Sequence, residues 1–152
     1  MENGRFQTIV IKIKQFIQAG KAAGFEKVKS KPIVWRCYLA DYFNYNVTQG
    51  GFAQLFYNLK GEHLDEIEEL LSQMNAKTAL EFYRQSLVQC LENIDGYQQF
   101  ISEDYLDKNE LKHELQRISI AYFNRKTDFE DEIKGFIDQN YSQIINEIDG
   151  LN

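Results

Sequence analysis

The chain has 152 residues, 43% of them hydrophobic and 14% aromatic, and carries a formal net charge of −6. That length suits one domain able to bury a sizeable core. No run approaches the ~18 apolar residues of a membrane span, and no signal peptide opens the chain, so a cytoplasmic protein with no membrane association is expected.

Taken in order, Phe6, Ile9, Val10, Ile13, Phe16 and Ile17 follow a helical stripe, although Ile9, Ile11 and Ile13 also alternate as a strand would. A connector bearing Lys and Gly is predicted between Gly20 and Pro32. Pro32, the chain's sole proline, can open a second helix because a first-turn proline sacrifices no hydrogen bond. Val34, Trp35, Tyr38, Leu39, Tyr42 and Phe43 give that helix a wide aromatic face, which predicts burial of Trp35, Tyr38, Tyr42 and Phe43 against Phe52 and Phe56, with Tyr45 left outside. Gly50 and Gly51 permit a positive φ or a close approach of chain segments, so they are expected to end this helix and begin a shorter one. Phe52, Leu55 and Phe56 then share a core face. Gln54 and Asn58, four residues apart, would either line a ligand groove or satisfy polar groups where helix ends meet.

Leu64, Ile67, Leu70, Leu71 and Met74 form the next apolar stripe, with Glu62, Asp65, Glu66, Glu68 and Glu69 filling the outer positions. Ala79 to Leu91 reads as a further helix, Asn93 to Gly96 as a turn. Leu111, Leu115, Ile118 and Tyr122 mark a helix within Asp107 to Asn124. Phe129 to Ile148 marks the last, with Thr127 or Asp128 as its cap. There is neither βαβ alternation nor a repeat of fixed period, so the fold class is all-α, one compact multi-helix domain over 1–152. Residues 1–31 form a basic N-terminal helix and connector, and residues 32–152 the core.

Charge is also distributed unevenly along the chain. Through residue 40 there are eight Lys and Arg against two Glu, a formal +6; beyond it nine stand against twenty-one, a formal −12. The acidic residues recur in three clusters: Glu62 to Glu69; Glu103, Asp104, Asp107, Glu110 and Glu114; and Asp128 to Glu132. If their helices lie side by side, carboxylates stand in rows that a phosphate-binding surface can accept through the same charge-assisted hydrogen bonds.

Catalytic parts are not apparent. His63 and His113 lie apart, no metal-binding spacing occurs, and Cys37 and Cys90 sit in apolar helical settings typical of inert thiols. No phosphate loop surrounds Gly50 and Gly51. No cofactor, metal or catalytic residue is therefore assigned.

The segment Asn46-Val47-Thr48-Gln49-Gly50-Gly51-Phe52-Ala53-Gln54-Leu55-Phe56-Tyr57-Asn58 resembles the signature of the bacterial DNA-mimic protein family. The resemblance implies a small helical domain, with Gly50, Gly51, Phe52, Gln54, Phe56, Tyr57 and Asn58 as fold determinants. It also implies a non-enzymatic acidic domain that occupies the basic surface of a DNA-binding regulator, since the family takes its name from such a member. The candidate contacts are Asp65, Glu66, Glu69, Asp107, Glu110 and Glu114; nucleic acid itself would be repelled from that face, and a homodimer is compatible with it. The basic N-terminal region departs from an all-acidic mimic. An immunity protein or antitoxin neutralising a cationic toxin uses the same physics and is the alternative, and a hydrolase with an unrecognised site is the third reading.

Overall fold

In the computed structural model, which describes residues 4–125 and 127–152, seven α-helices and no strands occur among the described residues: α1 Arg5–Lys29, α2 Pro32–Leu59, α3 Leu64–Gln73, α4 Lys77–Glu92, α5 Ile94–Ser102, α6 Glu110–Phe123 and α7 Phe129–Asp149. The all-α expectation holds, and the helical reading of Phe6 to Ile17 prevails over the strand alternative. None of these helices is long and apolar enough to cross a membrane.

Helix α2 is the axis of the assembly, packed by α1, α3, α5, α6 and α7. Its apolar residues line nearly its whole circumference, as a helix surrounded by others requires. Val34, Phe43, Phe52, Leu55 and Phe56 are fully buried. The expected break falls at the paired glycines: Gly51 has φ 72° and ψ −171°, a region that residues with a Cβ essentially do not occupy. Pro32 lies in the first turn.

Two expectations are corrected. The stretch from Gly20 to Pro32 is mostly helix; the backbone departs from helical geometry at Lys21 (φ 53°, ψ −131°), and α1 then resumes to Lys29. Val28 supplies the reason, because it is fully buried and anchors that second half in the core. Asn93 to Gly96 is not a free turn but the start of α5: the Asn93 side chain accepts from the Gly96 N–H as a cap, and Tyr97 and Phe100 bury the helix's inner face. The last helix is capped by Asp128, which accepts from the Glu130 N–H.

Buried phenols tie helix ends together. Tyr83 donates to the Leu64 carbonyl at 2.7 Å while its ring stacks on Phe56. Tyr97 donates to the Phe56 carbonyl at 2.8 Å and accepts from the Gly61 N–H. The Phe56 carbonyl lies in the last turn of α2, where helix termini leave carbonyls unpaired, and Tyr97 satisfies it.

Candidate functional site

The signature segment builds a polar joint inside α2. Asn46, itself buried, donates to the Tyr42 carbonyl at 2.9 Å. Its Oδ1 accepts from Gln54 Nε2 at 3.2 Å and from Asn58 Nδ2 at 2.7 Å, so the amides on one side of the glycine break hold an amide on the other. Gln54 and Asn58 thus grip a side chain rather than loose backbone. Tyr57 donates to the Glu103 carbonyl at 2.7 Å, reaching the end of α5.

The aromatic face of α2 divides in two. Phe43 and Phe52 pack together in the core with ring centroids 6.2 Å apart, and Phe56 joins Tyr83. Trp35 does not join them. It stacks on Tyr38 with centroids 5.3 Å apart and meets Phe25 and His63 edge-on, in a separate cluster near the surface where Tyr38 and Tyr42 are half-buried. The single contiguous aromatic core expected from the sequence is therefore two clusters: Trp35, Tyr38 and Tyr42, spaced three and four apart, share one face of α2, whereas Phe43, one residue further on, is turned into the core. Tyr45 is 58% exposed, as expected.

Trp35 Nε1 donates to Glu66 Oε2 at 2.7 Å, and His63 Nδ1 lies 2.8 Å from Glu66 Oε1. These bonds favour the ionised carboxylate; the His63 contact, the largest cause, and the Trp35 N–H hold the Glu66 carboxyl below its usual range. This cluster adjoins a cavity of about 180 Å³ lined by Phe25, Trp35, Tyr42, Asn58, Glu62 and His63, among others. Nothing local in the sequence marks it, since His63 reaches Trp35 through a left-handed backbone (φ 60°) ahead of α3.

The acidic candidates lie on two helices that flank a third. Asp65, Glu66 and Glu69 are exposed on α3; Asp107 precedes α6, where Glu110 is exposed and Glu114 partly so. Helix α4 packs against both α3 and α6 and presents Arg84, which lies 3.3 Å from Glu68 of α3 and lines a groove shared with Glu114 of α6. The carboxylates do not form an unbroken row: Glu66 turns to Trp35, Arg84 stands between Glu68 and Glu114, and Arg117 pairs with Glu114 at 3.1 Å. Among the described residues, no ion pair holds Asp65, Glu69, Asp107 or Glu110.

The third acidic cluster has structural duties. Asp128 caps α7, Glu130 accepts from Gln7 of α1, and Glu132 accepts from the Thr78 and Ala79 N–H groups at 2.7 and 3.3 Å. Several cations of the basic N-terminal region are likewise engaged: Arg5 with Asp138, Lys12 with Asp149 and Lys14 with Asp41.

Burial pushes the Cys37 and Cys90 thiols up to about 12, which keeps both protonated and poorly nucleophilic. Among the described residues there is no group of three or more His, Cys, Asp or Glu placed to hold a metal ion.

A family model described as DMP19-like protein matches residues 31–140, from the residue before α2 into α7. No curated protein and no solved structure matches the chain.

Proposed function

Because this chain belongs to the DMP19-like protein family, we propose that it is a non-enzymatic protein-binding domain whose acidic side occupies the basic surface of a DNA-binding protein. The observation that carries this reading is the set Asp65, Glu69, Asp107 and Glu110: exposed carboxylates that no ion pair holds among the described residues, while Glu130 and Glu132 are consumed by internal hydrogen bonds. Exposed carboxylates free of ion pairs keep hydrogen-bonding capacity for an incoming Lys or Arg, Glu69 through the oxygen that Gln73 does not use, and together they raise the encounter rate with a positively charged partner.

Arg84 and Arg117 refine the proposal. They interrupt the acidic surface, so the partner meets patches of carboxylate separated by cations, and complementarity to that pattern gives selectivity beyond net charge. The charge of −12 beyond residue 40 repels duplex DNA from this side.

The test is affinity capture from native lysate using the full chain as bait, repeated with duplex DNA as competitor. A captured DNA-binding protein that DNA displaces supports occupancy of a DNA-binding surface. A partner whose capture is indifferent to DNA contradicts it, and a cationic toxin as that partner would favour the immunity reading.

A further inference from the structure

We propose that the cavity beside Trp35 is a receptor for a guanidinium group, the side chain of an arginine presented by a protein partner. This goes beyond the acidic-side reading, rests on different residues, and can be tested with no macromolecular partner present, so either proposal can fail alone.

The cavity's size sets the first limit. About 180 Å³ lies below the roughly 300–1,000 Å³ of sites for drug-sized ligands, and suits one long side chain. Its walls set the second. Phe25, Trp35, Tyr38 and Tyr42 surround it with aromatic rings, whose faces carry negative quadrupole potential and attract cations. The Trp35 ring is held in place by the Tyr38 stack and by edge contacts from Phe25 and His63. Its N–H donates to the Glu66 carboxylate, which raises electron density on the indole.

The rim sets the third limit. Glu62 lines the cavity and its side chain is 77% exposed, so its carboxylate can turn to an incoming donor. Asn58, beside it, presents an amide with acceptor capacity. Both oxygens of Glu66, by contrast, are engaged by His63 and Trp35. A neutral apolar ligand would use the rings and leave Glu62 idle; an ammonium would meet Glu62 but stack poorly. A guanidinium does both, being planar, weakly hydrated and forked to meet a carboxylate.

The protein's own cations support the assignment and supply a control. Lys29 Nζ lies 5.7 Å from the Phe25 ring centroid and 5.9 Å from that of Trp35, so these rings already attract one positive charge. Lys29 is also the nearby charge that opposes a second cation, and the Lys14–Asp41 pair on the Tyr38 side is neutral overall. Phe25 and Lys29 belong to α1, before the family-matched residues, so the N-terminal helix completes the cavity and tunes it.

Trp35 is the chain's single tryptophan, so its emission reports directly on this cavity. The full chain is titrated at fixed ionic strength with Nα-acetyl-arginine amide, its lysine counterpart, and the neutral citrulline counterpart. The expected result is a saturable change with the arginine compound, a weaker response to lysine, and none to citrulline over the same range. Glu62→Gln should weaken arginine binding roughly two- to fivefold, the scale of one exposed ion pair, and Lys29→Gln should tighten it. An Asp107→Lys, Glu110→Lys double variant should leave the titration unchanged, which separates the cavity from the acidic side. Equal response to citrulline, equal binding of lysine, no saturable change, or shifts of the opposite sign in the two single variants would overturn the assignment.

Discussion

The backbone N–H of Phe52 donates to Ser119 Oγ at 2.8 Å, joining α2 to α6 across 67 positions of sequence. Ser119 in turn donates to the Leu115 carbonyl of its own helix. The glycine break leaves the first amides of the second half of α2 without helical partners, and Ser119 caps one of them from another helix. A Cβ on Gly51 would lie 2.5 Å from that same oxygen, so the glycine and the serine are matched parts of one joint.

Replacing either should therefore be costly. Ser119→Ala leaves a buried N–H unsatisfied and should destabilise by roughly 1–3 kcal/mol. Gly51→Val combines a backbone conformation reserved for glycine with a clash against Ser119, and should cost a few kcal/mol, at least as much as the serine change. Thermal melts of both variants check this. Because Val at 51 displaces the hydroxyl that Ala at 119 deletes, the double variant should lose less than the sum of the two.

A second prediction concerns Glu132. Helix α4 has Ala76 at its N-cap position and no side-chain cap of its own, and the Glu132 carboxylate supplies one by accepting from Thr78 and Ala79. A carboxylate at a helix N-terminus also interacts favourably with the positive end of the helix dipole. Glu132→Ala should lower stability by roughly 1.5–3 kcal/mol, whereas Asp131→Ala, one residue away and exposed, should stay within about 0.5 kcal/mol. Denaturant titration of the two variants distinguishes a specific cap from a generally acidic helix start.

The Glu66 cluster predicts a pH response. Its carboxyl is held below the ordinary 4.5 by the His63 and Trp35 hydrogen bonds. A carboxyl depressed in the folded state stabilises fully above its unfolded value and loses that contribution as pH falls through the folded one. Acidification should therefore change Trp35 emission with a midpoint below 4.5, as protonation weakens the bond from Nε1. Glu66→Gln should abolish that acid transition in native protein. An unchanged transition in the variant would assign it to other carboxylates.

The legible features of the sequence were the local ones. Gly50 and Gly51, Pro32 and Asp128 each declare a break, a start or a cap through their own backbone and side-chain chemistry, and the structure places each so. Asn93 misled because the same side-chain acceptor that closes a turn also caps a helix, and the choice depended on whether Tyr97 and Phe100 found a core. The connector after Gly20 hid a helical half whose stability comes from burying Val28, not from its Lys- and Gly-bearing composition. The acidic clusters were visible as charge but not as contacts: that Glu132 caps α4 and Glu66 holds Trp35 depends on pairings 54 and 31 residues apart. The cavity beside Trp35 lay beyond reach for the same reason, assembled from α1, α2 and the turn before α3.

The most direct test of the proposed function is the affinity of the captured basic partner at two salt concentrations, for the native chain and for a variant with Asp65, Glu69, Asp107 and Glu110 changed to Lys. Exposed charges are screened over about 8 Å at physiological ionic strength, so binding through these carboxylates should weaken as salt rises, and the variant should lose association rate and most of its affinity. Binding that is insensitive to salt and survives the four replacements would contradict the electrostatic account.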